Sequence, residues 1–182
     1  MDYYAAVDVY YRNESATTAL VEFSDYSSCT TSRTLIQESE TVAPYIPGKF
    51  YLRELPCILK ILEKAERLYQ MIFIDGFVFL RKPTCYGLGG YLARALGYKA
   101  IIIGVAKNYF SMADRFVEIK RGRSSRPLYI SSFNMKPETA GSLIKEMYGN
   151  NRIPYILKLT DLLSKKMVGD KTLYLNKLNY LI

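Results

Sequence analysis

Met71-Ile72-Phe73-Ile74-Asp75-Gly76 decides how this chain is read. Four apolar residues in a row are too few for a typical helix, and they are bounded by a carboxylate and a glycine. The run therefore reads as a strand buried on both faces, with Asp75 at its carboxyl end. Upstream, Leu52 to Tyr69 puts Leu55, Ile58, Leu59, Leu62, Ala65 and Leu68 on one helical face, with Glu54 at the amino-terminal end. Downstream, Gly87 to Leu96 predicts a second helix, Ala100 to Val105 a second buried strand and Leu128 to Ser131 another. Helices are predicted over Pro137 to Tyr148 and Lys158 to Lys166. The first forty residues differ. Residues 3 to 11 and 16 to 24, rich in Tyr, Val, Ala and Thr, flank the polar turn Arg12-Asn13-Glu14-Ser15 and predict a hairpin, with a third strand over roughly 32 to 42. Hairpin strands followed by αβ alternation predict a mixed central sheet flanked by helices.

Length and composition fit one domain over residues 1–182: 49% of the 182 residues are hydrophobic, enough for one sizeable core. The formal charge of +8 favours a polyanionic partner such as nucleic acid, although many soluble proteins are merely basic. Cys29, Cys57 and Cys85 are odd in number and lack metal-site spacing, which points to a reducing compartment. With no signal-peptide pattern and no apolar run of membrane-spanning length, the expectation is a cytoplasmic protein without a membrane partner. The apolar tail Met167 to Ile182 could repack the core or join two subunits; a monomer is the simpler expectation.

The chemistry is suggested by acids at the ends of apolar strands. An aspartate there costs desolvation energy unless a partner compensates it, and a divalent cation would do so. Asp75 fits this description, as does Asp8 in Ala5-Ala6-Val7-Asp8-Val9-Tyr10, where alternation turns its side chain away from the face of Val7 and Val9. Taken singly, either reads more readily as a surface residue or a helix cap. The segment Ala43-Pro44-Tyr45-Ile46-Pro47-Gly48-Lys49-Phe50-Tyr51-Leu52-Arg53-Glu54-Leu55-Pro56 adds a stiff aromatic turn just before a third acid. The chain has no histidine, which excludes His-based zinc sites and Ser-His or Cys-His catalysis.

The order of these pieces carries a resemblance: a strand Asp, Pro-Tyr-Ile-Pro-Gly, Arg-Glu-x-Pro, an apolar strand ending in Asp-Gly, then Ile103-Gly104-Val105-Ala106-Lys107 and Pro127-Leu128-Tyr129-Ile130. From about residue 3 to about residue 165 the chain resembles endonuclease V, the deoxyinosine 3′ endonuclease family, as a divergent member lacking the family histidines. The resemblance implies a ribonuclease H-like fold and a metal-dependent endonuclease for DNA repair, cutting a phosphodiester near deoxyinosine. Inosine-containing RNA is the other substrate it leaves open, and a weakened binder of modified nucleic acid is the alternative function. It further implies Mg²⁺ or Mn²⁺ on Asp8, Glu54 and Asp75, with no small-molecule cofactor, and a phosphate-contacting Lys107. Tyr45 would be a wedge in the base stack, with Ile46, Pro47, Gly48, Gly76, Lys82 and Gly87 also at the nucleic acid. Asn134 falls by direct register where the family has a catalytic histidine. Asp75-Gly76-Phe77-Val78 likewise replaces the family's Asp-Gly-His-Gly, and Lys82-Pro83 its later His-Pro. From the residues alone, Tyr45 reads more readily as core cover and Lys107 as a solvated lysine, and Gly87 as a helix start; Arg121, Arg123, Arg126 and Arg152 could equally meet the phosphate backbone or simply line loops.

Overall fold

Alternating small and β-branched residues make the first two strands pair closely. β1 (Tyr4–Arg12) and β2 (Ser15–Phe23) form a hairpin registered from Tyr4↔Phe23 to Arg12↔Ser15. Asn13 supplies the positive φ of its turn, +56°. The computed structural model describes residues 3–40, 44, 46, 49–81 and 86–165. Tyr45, Pro47, Gly48, Lys82, Cys85 and the apolar tail lie outside the described residues.

β3 (Arg33–Ser39) extends the hairpin, and α1 (Tyr51–Ala65) crosses to β4 (Met71–Ile74), which pairs parallel with β1. β5 (Phe79–Leu80) and β7 (Ala113–Asp114) form a small separate ribbon. α2 (Leu88–Ala95) leads to β6 (Ile101–Ala106), parallel to β4, while β8 (Phe116–Ile119) and β9 (Leu128–Phe133) complete the sheet antiparallel. α3 (Pro137–Glu146) and α4 (Tyr155–Ser164) close the order. The main sheet has seven strands, β3-β2-β1-β4-β6-β9-β8. It is the expected mixed sheet with helices on both faces. On one face Ala5, Val7, Ile72, Ile74 and Ile102 pack with Ile58, Ile61 and Leu92 of α1 and α2. On the other, Ala6, Phe73, Ile103 and Ile130 pack with Ile144, Leu159 and Leu163 of α3 and α4.

Two element boundaries depart from the periodicity. α1 stops at Ala65, and Leu68, expected on its buried face, is 94% exposed. The cause is Glu22, buried in β2: Tyr69 donates to it at 2.6 Å, and Arg33 and Arg67 pair with it at 3.1 and 3.4 Å. A continued helix would carry Arg67 and Tyr69 away from that buried carboxylate. α4 begins at Tyr155, three residues ahead of the expected Lys158, because Pro154 presets the first turn. β8 and the β5–β7 ribbon are too short to show a period in sequence. No described helix is long and apolar enough to cross a membrane.

Candidate functional site

Parallel strands that share a register carry their carboxyl ends to one edge. The last pair of β1 with β4 is Val7↔Ile74, so Asp8 and Asp75 follow side by side one step later. Their side chains turn to the α4 face, on the same side as Ala6 and Phe73. Glu54 arrives differently, from the first turn of α1 on the opposite face, and is 7% exposed. At the sheet edge the three acids line one small cavity with Val7, Ile58, Ile74 and Leu88. Among the described residues no three acids or cysteines are gathered tightly enough to hold one ion as they stand.

Electrostatically the three act as a group. Burial pushes the Asp8 carboxyl above the ordinary aspartate range, and the neighbouring Asp75 charge adds to this against a hydrogen bond from Ser164. Burial, then the charges of Asp75 and Asp8, push Glu54 well above its ordinary value. Such a set of hard oxygen donors, two of them disfavouring their own charge, fits a divalent cation.

Lys107 stands just past β6. Its ammonium lies 2.7 Å from Asp75 Oδ2 and 3.7 Å from Asp161 Oδ1. Burial works against its charge, but Asp75 and Asp161 outweigh this and raise its pKa. Asp161 was not among the acids the sequence pointed to. It lies on α4, held by Lys158 at 2.8 Å and Lys165 at 2.7 Å, and Ser164 one turn on donates to Asp8 at 2.5 Å. The available signal was an acid set among Leu159, Leu162 and Leu163 on a helix otherwise short of acids.

Beside Asp75 opens a cleft of about 270 Å³, lined by Phe50, Tyr51, Gly76, Phe77, Leu80, Gly87, Leu88 and Phe110. Gly76 has φ +123°, a conformation L side chains rarely adopt, and Gly87 caps α2 where a Cβ would lie 2.3 Å from the Phe77 carbonyl oxygen. Ile46 is exposed. Phe77, at the position of a family histidine, is buried and packs edge-on against Phe116.

Asn134 is not at this edge. β9 runs antiparallel to β6, from Ala106↔Tyr129 to Ile102↔Phe133, so each residue after Tyr129 moves farther from Lys107. Asn134 ends at the opposite edge, donating to the carbonyls of Tyr98 at 2.7 Å and Ala100 at 3.3 Å. Direct register along the chain mapped it onto a catalytic histidine; strand direction removes it from the site. Of the arginines left open between phosphate and loop, two are committed to main-chain carbonyls: Arg121 donates to those of Ile144, Met147 and Asn151, and Arg152 to those of Lys107 and Pro127.

A mixed sheet of this order, with helices on both faces and acids where the parallel pairing of β1 with β4 ends, is a ribonuclease H-like fold. The crystal structure of human ENDOV matches it with a TM-score of 0.77 at 20% identity, over 92% of this chain and 84% of that one. The Ciona intestinalis Endonuclease V (D234N), solved with a 23mer DNA containing an inosine followed by a ribo-adenosine, matches with a TM-score of 0.76 at 18% identity, over 91% and 85%. In sequence, the Endonuclease V of Pyrococcus abyssi is 32% identical over 91% of this chain and 80% of its own length. Residues 1–162 match the profile of the Endonuclease V family, and the chain belongs to that family of phosphodiester-cleaving nucleases.

Proposed function

We propose that this protein is a divalent-metal-dependent endonuclease that cuts a phosphodiester bond near deoxyinosine in DNA and so acts in repair of deaminated bases. The observation that supports it best is the meeting of Asp8, Glu54 and Asp75 around one cavity at the sheet edge, with Lys107 beside them, in a member of the Endonuclease V family. Asp8, Glu54 and Asp75 would hold Mg²⁺ or Mn²⁺, which when bound supplies Lewis-acid stabilisation and lowers the pKa of a water. Lys107 offers its ammonium to a phosphate oxygen once the carboxylates have another partner. The aromatic cleft next to Asp75 suits an extruded base, with rings for its faces and the glycines at 76 and 87 letting backbone approach its edge. Tyr45 is the proposed wedge that fills the vacated stack, within the Tyr45 to Gly48 turn, and Lys82 a phosphate contact. The single-domain, cytoplasmic and monomeric readings belong to the same proposal.

A second reading, binding of modified nucleic acid with weakened cleavage, is favoured by the absence of histidine from the chain and by Phe77 buried where the family has one. The deciding experiment is nicking of a labelled duplex with one deoxyinosine, with and without Mg²⁺, beside an inosine-containing RNA. We expect Mg²⁺-dependent nicking of the duplex, lost in Asp75→Asn while binding is kept or strengthened, since the change removes negative charge near phosphate. Tight inosine binding with no cleavage under any divalent ion would select the second reading, and cleavage confined to the RNA would move the substrate.

A further inference from the structure

The segment entering α4 carries an arginine that the proposed reaction does not use. Arg152 stands two residues before Pro154, the cap of α4. Its guanidinium reaches back 45 residues, and one terminal nitrogen donates to the main-chain carbonyl of Lys107; the same nitrogen donates to the carbonyl of Pro127 at 2.7 Å. Both carbonyls lie where strands part: Ala106↔Tyr129 is the last registered pair of β6 with β9, and Lys107 and Pro127 fall just outside it. Beyond the ladder such acceptors need another donor.

One side chain therefore joins three pieces: the strand end that bears Lys107, the start of β9, and the helix that brings Asp161 and Ser164 to the site. Arg121 offers a contrast, since its Nε and both terminal nitrogens all reach carbonyls around the end of α3. Arg152 Nε is buried and finds no hydrogen-bond partner among the described residues. A buried unsatisfied donor lowers stability, so stability alone is a poor account of this arginine.

We propose that Arg152 is a positioning residue: by gripping the Lys107 carbonyl from the segment that enters α4, it sets where the Lys107 ammonium stands between Asp75 and Asp161. For its effect on rate, the inference rests on the nuclease reading above; for the position of the lysine it rests on geometry alone. The experiment separates the two. In the first arm, the metal-free protein is labelled and the Lys107 ammonium is followed by ¹⁵N NMR. An ammonium held between carboxylates gives a resolved signal in the wild type, and in Arg152→Met it should broaden away or move to the position of solvated lysines. In the second arm, single-turnover nicking of the deoxyinosine duplex is measured in Arg152→Ala. We expect a loss of about 30- to 100-fold, the scale of a small misplacement in an active site, with duplex affinity within about threefold of wild type. Millimolar guanidinium chloride should recover much of that loss, and sodium chloride at the same concentration none of it.

An unchanged Lys107 signal in Arg152→Met, or Arg152→Ala nicking within about threefold of wild type, overturns the proposal. So does a rate loss that guanidinium leaves untouched and that follows a fall in melting temperature. If the alanine and methionine variants fail to fold, Arg152→Lys is read in both arms, with the same signal change and a partial rate loss expected. A wild type that cuts nothing would end the nuclease reading, and the ammonium signal would then decide the positioning role by itself.

Discussion

Asn134 holds φ at +59° and donates from its side-chain amide to two carbonyls, those of Tyr98 and Ala100, at the start of β6. Asparagine tolerates the left-handed region better than other non-glycine residues, and its amide supplies donors that backbone geometry there leaves wanting. Asn134→Ala removes both advantages and should cost about 1–2 kcal/mol by chemical denaturation, mostly through the left-handed φ that alanine would have to hold. Cleavage per folded molecule should stay within about twofold, because Asn134 lies at the edge of the sheet opposite the acids. A large loss of turnover in a variant of normal stability would return Asn134 to the site. Position along the chain alone puts Asn134 where the family has a histidine. Whether a strand approaches or leaves an active edge depends on its direction, and nothing in Leu128 to Phe133 states that direction. Asp8 and Asp75 were legible for the opposite reason: an acid ending an apolar run is visible without knowing the partner strand. Asp161 was hidden because a helical acid flanked by lysines reads as a solvated face until α4 is set against Lys107.

At the scale of elements, the turn after β4 is held from two sides. Gly104 in β6 pairs with Ile74, and a Cβ there would meet the Gly76 carbonyl oxygen at 2.4 Å and Ser131 Oγ at 2.9 Å. That same Ser131 hydroxyl accepts from the Val78 amide at 2.9 Å. Asp75 thus leaves β4 into a turn pressed onto neighbouring strands, and its direction depends on an absent methyl group. A carbonyl oxygen of the main chain cannot swing aside as a side-chain tip can. Gly104→Ala should therefore destabilise by about 1–3 kcal/mol and displace Asp75 along with the turn. Differential scanning calorimetry and single-turnover nicking should fall together, whereas Gly97→Ala, strained by its own φ of +66° but with open space around it, should lower stability alone. Equal catalytic loss in both would mean that packing against the turn is not what orients Asp75. The elements themselves were mostly visible in sequence, since β1, β2, β4, β6 and α2 each show a clear period or apolar run. Ends escaped where a distant buried group decided them, as Glu22 does for α1.

Over the whole molecule, the acids of the site oppose the fold that carries them. Asp8 and Glu54 have folded-state pKa values above their ordinary 3.8 and 4.5, chiefly from burial. Groups raised in this way contribute stability that is fully present below the unfolded value and lost as pH rises through the folded one. Asp161 has the opposite sign: burial would raise it, but hydrogen bonds from Lys158 and Lys165 and the charge of Lys107 bring it to about 2. Its contribution is present above the ordinary 3.8 and lost as pH falls toward 2. The metal-free protein should therefore lose stability in strong acid as Asp161 protonates, and also lose melting temperature as pH rises above the ordinary 3.8 and 4.5 and Asp8 and Glu54 ionise. Glu54→Gln removes one of the opposed charges. It should flatten the upper part of the profile and melt higher than the wild type at its alkaline end without metal, each kcal/mol gained appearing as about 2–4 °C at this size. Adding Mg²⁺ should raise the wild-type melting temperature more at the alkaline end of the profile than at the acid end, because a cation stabilises by preferring the native carboxylates in their charged form. The same addition should do little for Glu54→Gln at either end. A glutamine variant that melts below the wild type in chelator at the alkaline end of the profile would mean that Glu54 stabilises the fold, and the view of these acids as a cation site held at a cost to stability would fall.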